Sequence, residues 1–322
     1  MCSSDLLIVT VGHSQTALSS PGTAVLGTDV SVFAQLGVPV FQAMTTFFNY
    51  DQWKASTAGL DGMMLCSNVY QPEFDGQIIS VTFSCSEMVN TPEGPRRKNV
   101  PIPGRSERIA KMAMGYARLR STPMPQKRVA IILHNMPPRA DMIGCAYGLD
   151  TPESAFNMIV AMKNHGLNLD FDFANGQEII RKITEGLTND ARFLSPAEML
   201  SRCERTVSAD QYRTWLTALP ESVREKVQND WGEAPGTIMT ADGEILIPGI
   251  HNGNLFIGLQ PPRAFEEKAE ELYHSTDLVC PHQYIAFYRY LREVFDAHVI
   301  VHVGTHGTLE WLPGKEIGLS EE

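Results

Sequence analysis

Two histidines and a glutamate stand at four-residue intervals near the end of the sequence. They are His302, His306 and Glu310, in a run that reads VHVGTHGTLEWLPGK. Imidazole nitrogen suits late first-row metal ions, and a nearby carboxylate can accept a proton or join the ligands. The spacing is not the HExxH pattern of zinc helices, and Gly304 and Gly307 argue against one continuous helix. Either these side chains handle a metal ion, or His302 is an ordinary core histidine and Glu310 favours the start of a short helix.

A strand and a short helix must position this group. The residues His298–Val303 have strand character and place His302 at the carboxyl end of that strand. Thr308 can then begin a short helix that Pro313 and Gly314 end. Open α/β sheets bind ligands beyond the carboxyl ends of their strands, and the intervening glycines allow a ligand to approach the backbone closely.

Other polar residues stand where a ligand could bind, and six of them are candidates: His134, Asn135, Arg139, Asn254, Gln260 and His282. The first three follow the predicted strand at 129–133, and Gln260 follows the predicted strand at 255–259. Asn254 belongs to an Asn-Gly-Asn turn signal, and His282 opens a predicted helix after a proline. From the residues alone, plain turns and a surface histidine also explain these positions.

Short apolar runs that alternate with helical periods are typical of the α/β class. The predicted strands are Leu6–Val11, Val38–Gln42, Ile78–Phe83, Val129–Leu133, Leu255–Leu259 and His298–Val303. Because several of them are continuously apolar, we expect mostly parallel sheets flanked by helices on both faces. The clearest helical periods cover residues 105–120, 151–164 and 282–295. We therefore expect an α/β fold with at least two Rossmann-like lobes.

The length of the chain favours two domains over one, because a single compact core rarely grows so large. A run at 91–104 that is rich in proline, glycine and basic residues predicts a linker, and a second break at 121–126 places the boundary near residue 122. We expect an N-terminal α/β lobe at 1–122, itself incomplete. The second α/β lobe, at 123–322, would contain a helical excursion at 176–230 and the His/Glu signature at 301–315.

Composition limits the partners and the compartment. The 322 residues carry a net charge of -11, which argues against a nucleic-acid partner because phosphate binding requires a basic face. The six cysteines are scattered without a CxxC pair, which argues against a zinc ribbon and suits a reducing cytoplasm. No apolar run reaches the ~18 residues of a membrane span, and the GxxxxGK[ST] motif that would bind ATP is missing.

Several blocks of the sequence resemble one family, that of the cobaltochelatase large subunit (CobN type) and the magnesium chelatase H subunit. They are the run at 301–315, VAIILHNMPPR at 129–139, IGCAYGLDTPE at 143–153, GNLFIGLQPPR at 253–263 and PEFDGQII at 72–79. Together the matches span roughly residues 38–320. The pairs Trp311-Leu312 and His134-Asn135 look like the cobaltochelatase branch, since magnesium-type members tend to have Phe-Met and no such histidine there.

The resemblance implies the tetrapyrrole-binding subunit of an ATP-dependent metal chelatase, a ligase. Such a subunit inserts cobalt into a corrin precursor of the hydrogenobyrinic acid a,c-diamide type in cobalamin biosynthesis. Co²⁺ would be the metal substrate, with Mg²⁺ as the alternative. ATP would be used by partner AAA+ subunits, CobS/CobT-like or magnesium chelatase I/D-like, and would not bind here. Full-length relatives are far longer, so we do not expect this chain to be active alone.

The resemblance also points to Glu310 as important for chelation. We assign Glu310 as proton acceptor or third ligand, and His302 and His306 as the metal-holding pair, with His306 also in the catalytic group. The six polar candidates, with Gly304 and Gly307, would contact the macrocycle. These roles rest on the residue types together with the family likeness.

Three alternatives remain open. The chain could resemble a magnesium chelatase H subunit, which inserts magnesium into protoporphyrin, or a CobN-like protein that removes iron from haem. It could instead be a non-catalytic tetrapyrrole-binding module, which would bind the ring without ATPase partners. An absorption assay that follows which metal and which ring change separates these alternatives.

Overall fold

The chain divides into two compact units. In the computed structural model the first unit comprises residues 1–121 with 314–322, and the second comprises residues 122–313. The structure describes residues 6–12, 14, 32–263, 275, 277–304 and 312–315. Both units are of mixed α/β type, with sheets flanked by helices.

The first unit contains a four-stranded sheet in the order β1-β2-β3-β4. Its strands are β1 (Leu7–Val9), β2 (Val40–Thr45), β3 (Ile78–Thr91) and β4 (Gly94–Pro101). The first three strands are parallel, and β4 pairs antiparallel with β3. The helices are α1 (Val32–Leu36), α2 (Tyr50–Ala55), α3 (Gly62–Leu65), α4 (Gln71–Phe74) and α5 (Arg105–Ser121), with a π-helical turn at Cys66–Tyr70.

The run at 91–104, predicted as a linker, is largely a β-strand, and that prediction is wrong. Strand β4 forms a hairpin with β3, in which Glu87 is opposite Lys98 and Thr91 is opposite Gly94. The hydroxyl of Thr91 donates to the Gly94 carbonyl oxygen at 2.7 Å and closes the turn. The basic and polar residues suit an edge strand that faces solvent, because charge there discourages pairing with other chains.

A buried lysine anchors the last described residues within the first unit. The Nζ atom of Lys315 donates to the carbonyl oxygens of Trp53, Lys54 and Ser56 at 2.8, 2.9 and 2.7 Å. These carbonyls end helix α2, where a cation interacts favourably with the helix dipole. The same ammonium group lies 4.7 Å from the centre of the Trp53 ring. Lys315 is therefore tied firmly to the end of this helix.

Replacing Lys315 with methionine should lower the free energy of unfolding by about 1–2 kcal/mol. The substitution keeps the apolar stem but leaves carbonyl groups at the end of α2 without their buried donor. Thermal or urea unfolding followed by circular dichroism measures the change. Lys98→Met on the exposed edge strand β4 is the matched control and should have no effect. Equal stability of the two variants would contradict the anchoring role.

The second unit is built on a four-stranded sheet in the order β11-β5-β10-β9. Its strands are β5 (Val129–Leu133), β9 (Gly249–Asn252), β10 (Leu255–Leu259) and β11 (Val299–Val303). Strands β11 and β10 flank β5 and run parallel to it, and β9 pairs antiparallel with β10. A smaller antiparallel sheet is formed by β6 (Thr206–Ser208), β7 (Thr240–Ala241) and β8 (Glu244–Leu246).

Helices cover both faces of the larger sheet, as continuously apolar strands require. They are α6 (Thr151–Asn164), α7 (Gly176–Glu185), α9 (Ala209–Thr217), α10 (Glu221–Trp231) and α11 (His282–Arg289), whereas α8 (Pro196–Arg202) packs on the smaller sheet. Helices α6 and α7 pack with Ile131 and Ile257 on one face. Helices α9, α10 and α11, with the π-helical turn Tyr290–Val294, pack with Ile132 and Phe256 on the other.

Helix α6 spans the predicted range, Thr151–Asn164, and the residue before it is its N-cap. Its N-cap is Asp150, whose carboxylate accepts from the Glu153 backbone N–H at 3.1 Å, while Thr151 is already helical. The helix ends at Asn164, and Gly166 follows with φ +97°. An aspartate at this position satisfies an otherwise unpaired N–H and favours the positive end of the helix.

His251 on β9 makes the stability of the second unit depend on pH. Its ring packs edge-on against Phe256 and Phe295, and its Nε2 atom lies 2.9 Å from the Tyr290 hydroxyl. Burial, assisted by the charge of Arg205, lowers the pKa of His251 to about 4. In the unfolded chain His251 therefore binds a proton near pH 6.5, whereas in the folded chain it binds one only near pH 4.

The free energy of unfolding should fall as the pH is lowered through this window, with a slope of up to about 1.4 kcal/mol per pH unit from this group. His251→Gln should flatten the slope, because the substituted side chain does not titrate. Urea unfolding at a series of pH values measures it. Substitution of the exposed His165 by glutamine is the matched control for replacing a histidine. A slope in His251→Gln as steep as that of the wild type would disprove this assignment.

Candidate functional site

The carboxyl ends of β11, β5 and β10 bring several of the predicted site residues to one edge of the sheet. Val303 pairs with Leu133, and Leu133 pairs on its other side with Leu259. The backbone N–H of His134 donates to the Val303 carbonyl at 3.0 Å, and that of Gln260 donates to Leu133 at 2.9 Å. His302, Gly304, His134, Asn135 and Gln260 therefore lie together, as expected for residues that end neighbouring parallel strands.

The chain leaves this edge in two directions. After β5 the next long helix is α6, which packs on one face of the sheet, whereas the next described helix after β10 is α11, which packs on the opposite face. Neighbouring parallel strands whose connections depart to opposite faces leave a crevice between them, and α/β proteins bind ligands there. Asn135 and Gln260 flank this crevice.

A tyrosine links His302 to Gln260 across the edge. The Tyr288 hydroxyl donates to Gln260 Oε1 at 2.8 Å and lies 2.9 Å from His302 Nε2. The rings of Tyr288 and His302 also meet edge to face, with their centres 5.8 Å apart. Tyr288 lies in the helical period predicted at 282–295, and no sequence motif distinguishes it there.

A buried asparagine joins the ends of β5 and β10. The Nδ2 atom of Asn189 donates to Asn135 Oδ1 at 3.0 Å and to the Gln260 carbonyl oxygen at 2.9 Å. Asn135 in turn donates to the Arg139 carbonyl oxygen at 2.9 Å. The Asn135 side chain therefore forms its hydrogen bonds within the protein, at the ends of these strands. Asn189 lies in the predicted helical excursion, where no sequence signal distinguishes it.

Gly304 is required by the close approach of His134. A Cβ atom at Gly304 would lie 2.5 Å from the Cβ of His134, which is closer than two non-bonded carbon atoms can approach. The backbone after β11 therefore passes directly beside the end of β5. Only a residue without a side chain fits at this position.

Both polar groups of the Tyr288–His302 pair are neutral at pH 7. The surrounding protein lowers the pKa of His302, although the residue is exposed on one side, because the imidazolium would lose solvation. Burial raises the pKa of Tyr288, and the neighbouring Tyr284 adds to the shift. A neutral imidazole keeps one nitrogen lone pair, which can hold a metal ion or accept a proton.

Two predicted ligand contacts lie elsewhere or are already occupied. Asn254 precedes β10, at the opposite end of the strand from Gln260, and its Nδ2 atom donates to the Pro125 carbonyl oxygen at 2.8 Å. Five strand residues separate the two positions, a distance of roughly 16 Å or more. Arg139 is exposed and forms a two-pronged ion pair with Asp141. Asn254 thus does not share the edge with the other candidates.

His282, predicted to contact the macrocycle, is a core histidine. Only 3% of it is exposed, and both ring nitrogens have partners. Nε2 lies 2.9 Å from the Gly232 carbonyl oxygen, which can only accept, so Nε2 carries the proton. Nδ1 then accepts from the Tyr212 hydroxyl at 2.8 Å. The imidazole has no nitrogen left for a ligand, and we remove it from the candidates.

The other members of the signature lie outside the described residues. These are His306, Gly307 and Glu310, together with the short helix predicted from Thr308. Within the described ranges, no group of three His, Cys, Asp or Glu side chains could hold a metal ion. Nor does any helix in those ranges have the length and apolarity to cross a membrane.

Comparison with known proteins agrees with the family that the sequence blocks suggest. The family model described as CobN/Magnesium Chelatase matches residues 2–322. The aerobic cobaltochelatase subunit CobN of Pseudomonas aeruginosa is 35% identical over 98% of this chain and 25% of its own length. The H subunit of the magnesium chelatase from Rhodobacter capsulatus is 28% identical over 96% of this chain and 27% of its own length.

A solved structure, that of the catalytic subunit of cobaltochelatase from Mycobacterium tuberculosis, has a similar fold. It superposes with a TM-score of 0.82 at 35% sequence identity. The match covers 99% of this chain and 27% of the solved chain. The chain thus spans about a quarter of the length of the relatives it matches. A family model that matches nearly every residue and a solved relative with the same fold lead to one conclusion. The chain belongs to the CobN/magnesium chelatase family.

Proposed function

We propose that this chain is part of the tetrapyrrole-binding catalytic subunit of a cobaltochelatase, a ligase of cobalamin biosynthesis. The observation that carries the proposal is the edge where β11, β5 and β10 end. There a neutral, solvent-exposed His302 lies beside a glycine and a network of amide side chains. Greater identity to CobN than to the magnesium chelatase protein, 35% against 28%, favours cobalt over magnesium.

In this proposal the metal ion is a substrate that the protein holds briefly. His302 and His306 bind Co²⁺ through imidazole nitrogens, which suit late first-row ions. Glu310 accepts a proton from an inner pyrrole N–H, or completes the ligand set. The glycines Gly304 and Gly307 let the flat ring approach the backbone closely.

The ring's side groups would meet the polar residues of the same edge. His134 and Gln260 lie beside Gly304 and Tyr288, where they can face the amide or carboxylate groups of a corrin precursor. Arg139, at the mouth of the loop after β5, can pair with a carboxylate if it leaves Asp141. We assign Asn135 to support of the edge, because its side chain is held by Asn189 and the loop.

Energy for metal insertion must come from other subunits. We propose partners of the AAA+ type, CobS/CobT-like, that hydrolyse ATP and remodel this subunit in the cytoplasm. A Rossmann-like architecture for the two lobes, whose sheets each contain three parallel strands, is part of the same proposal. The chain's own residues supply binding, orientation and proton transfer.

The test is reconstitution of the complete subunit with its ATPase partners and ATP. Co²⁺ or Mg²⁺ is supplied with either the a,c-diamide corrin precursor or protoporphyrin, and the ring's absorption spectrum is followed. Cobalt insertion into the corrin precursor is expected. Magnesium insertion into protoporphyrin would assign the chain to the magnesium branch, and iron loss from haem would assign it to dechelation. Ring binding without any metal change would indicate a non-catalytic module.

A further inference from the structure

The direction of the hydrogen bonds around Tyr288 determines which nitrogen of His302 carries a proton. Tyr288 has one O–H hydrogen, and Gln260 Oε1, 2.8 Å away, can only accept it. The Tyr288 oxygen, which also has a hydrogen bond with the Tyr284 side chain, then accepts from His302 Nε2, 2.9 Å away. The bonds run in one direction, from Nε2–H to the tyrosine oxygen and from the tyrosine O–H to the amide oxygen.

Both ends of this series of bonds are held firmly. The backbone N–H of Gln260 donates to the Leu133 carbonyl, and its own carbonyl accepts from the buried Asn189. Tyr288 is fixed by its helix, α11, whose buried Phe287 packs edge-on against the Tyr288 ring. The edge-to-face contact between Tyr288 and His302 then limits rotation of the imidazole. The Gln260 backbone and the Tyr288 ring are therefore held in place on either side of this hydrogen bond.

We propose that Tyr288 is a positioning residue that holds His302 as the Nε2–H tautomer, so that Nδ1 is the nitrogen offered to the divalent metal substrate. The inference rests on the proposed function, in which His302 binds that metal. No described residue hydrogen bonds to Nδ1, so its lone pair is available. Metal-binding histidines usually donate their other N–H to an oxygen, which fixes the ring and increases its basicity as a ligand.

The first measurement is the affinity of the complete subunit for Co²⁺ alone, with no ring present, followed by the visible absorption of the bound ion. Tyr288→Phe should weaken binding by about 10–100-fold, the usual cost of losing such a partner. The matched control is Tyr290→Phe, which removes an equivalent tyrosine–histidine hydrogen bond, to His251, away from the edge. Its Co²⁺ affinity should be unchanged. Equal affinities for wild type and Tyr288→Phe would overturn the inference.

Two variants of Gln260 separate hydrogen-bond direction from simple packing. Gln260→Glu keeps an oxygen that accepts from Tyr288 and should retain Co²⁺ binding. Gln260→Leu removes the acceptor, so the Tyr288 hydroxyl can donate to His302 Nε2 instead. The ring proton of His302 then moves to Nδ1. Co²⁺ binding should weaken as it does in Tyr288→Phe. Loss of binding in both variants would contradict the role given to the acceptor oxygen. These variants also serve if Tyr288→Phe fails to fold.

The tautomer itself can be read by ¹⁵N NMR of histidine-labelled protein, with His302→Gln used to assign the signal. The wild type should give a protonated Nε2 and an unprotonated Nδ1, whereas a protonated Nδ1 in the wild type would refute the inference. His302→Ala distinguishes the two levels of the proposal. If it leaves Co²⁺ affinity intact, the metal-binding role of His302 fails. If it abolishes affinity while Tyr288→Phe does not, only the role of Tyr288 fails.

Discussion

Glu310→Gln in the complete subunit should lower the rate of cobalt insertion by about 10²–10⁴-fold while the ring still binds. A glutamine has the size of the glutamate but cannot accept a proton, and a positioned general base contributes rate enhancement of this order. Metal insertion requires the inner pyrrole nitrogens to lose their protons, so the loss should appear in the insertion rate. Reconstituted insertion followed by absorption gives the rate, and quenching of protein fluorescence by the ring gives the affinity.

The control for this substitution is Glu225→Gln, which neutralises an exposed glutamate on helix α10. It changes the net charge of the chain by the same amount and should leave insertion unchanged. Undiminished insertion by Glu310→Gln, with intact ring binding, would remove the proposed role of this carboxylate. A loss of ring binding alone would place Glu310 in recognition of the macrocycle.

Gly258→Ala in strand β10 should destabilise the second unit by about 3 kcal/mol. The added Cβ would lie 2.6 Å from Phe256 Cε1, 2.8 Å from Phe287 Cζ and 3.3 Å from Ile132 Cδ1. All three neighbours are almost fully buried, so none can move without displacing the core between the sheet and α11. Overpacking a filled core costs this much because side chains are forced out of their preferred rotamers.

Gly186→Ala is the matched control within the same unit. The nearest atoms to a Cβ there lie at an ordinary 3.6 Å, and the backbone φ of -89° is accessible to alanine. Chemical unfolding of both variants should show a large loss for Gly258→Ala and little change for Gly186→Ala. A Gly258→Ala variant as stable as wild type would mean that the core beside Phe256 has free volume that the structure lacks.

Much of the fold could be predicted because the buried strands are continuous apolar runs. The bounds of β5 and β10 match the predicted ranges, and α6 ends at Asn164 as predicted. The hairpin strand β4 could not be predicted from its own residues. Its sequence, GPRRKNVP, is that of a solvated loop, and it is a strand only because β3 extends beyond the sheet to pair with it.

The candidate site was predictable to the extent that it consists of residues that follow strands. His302, His134 and Gln260 meet because the ends of parallel strands share an edge, which a sequence pattern can indicate. Asn254 was grouped with them wrongly, since it stands before its strand. His282 was misjudged because its burial depends on contacts with residues that are distant in sequence. The hydrogen bonds of Tyr288 and Asn189 likewise arise only from tertiary packing.

The most direct test of the proposed metal site is to locate the metal itself. A crystal of the complete subunit with bound Co²⁺ would be measured on both sides of the cobalt absorption edge. We predict an anomalous peak at coordinating distance from His302 Nδ1, at the carboxyl end of β11, with His306 as a second ligand. A cobalt ion bound elsewhere in the protein, with the His302 imidazole facing no metal, would contradict the proposed site.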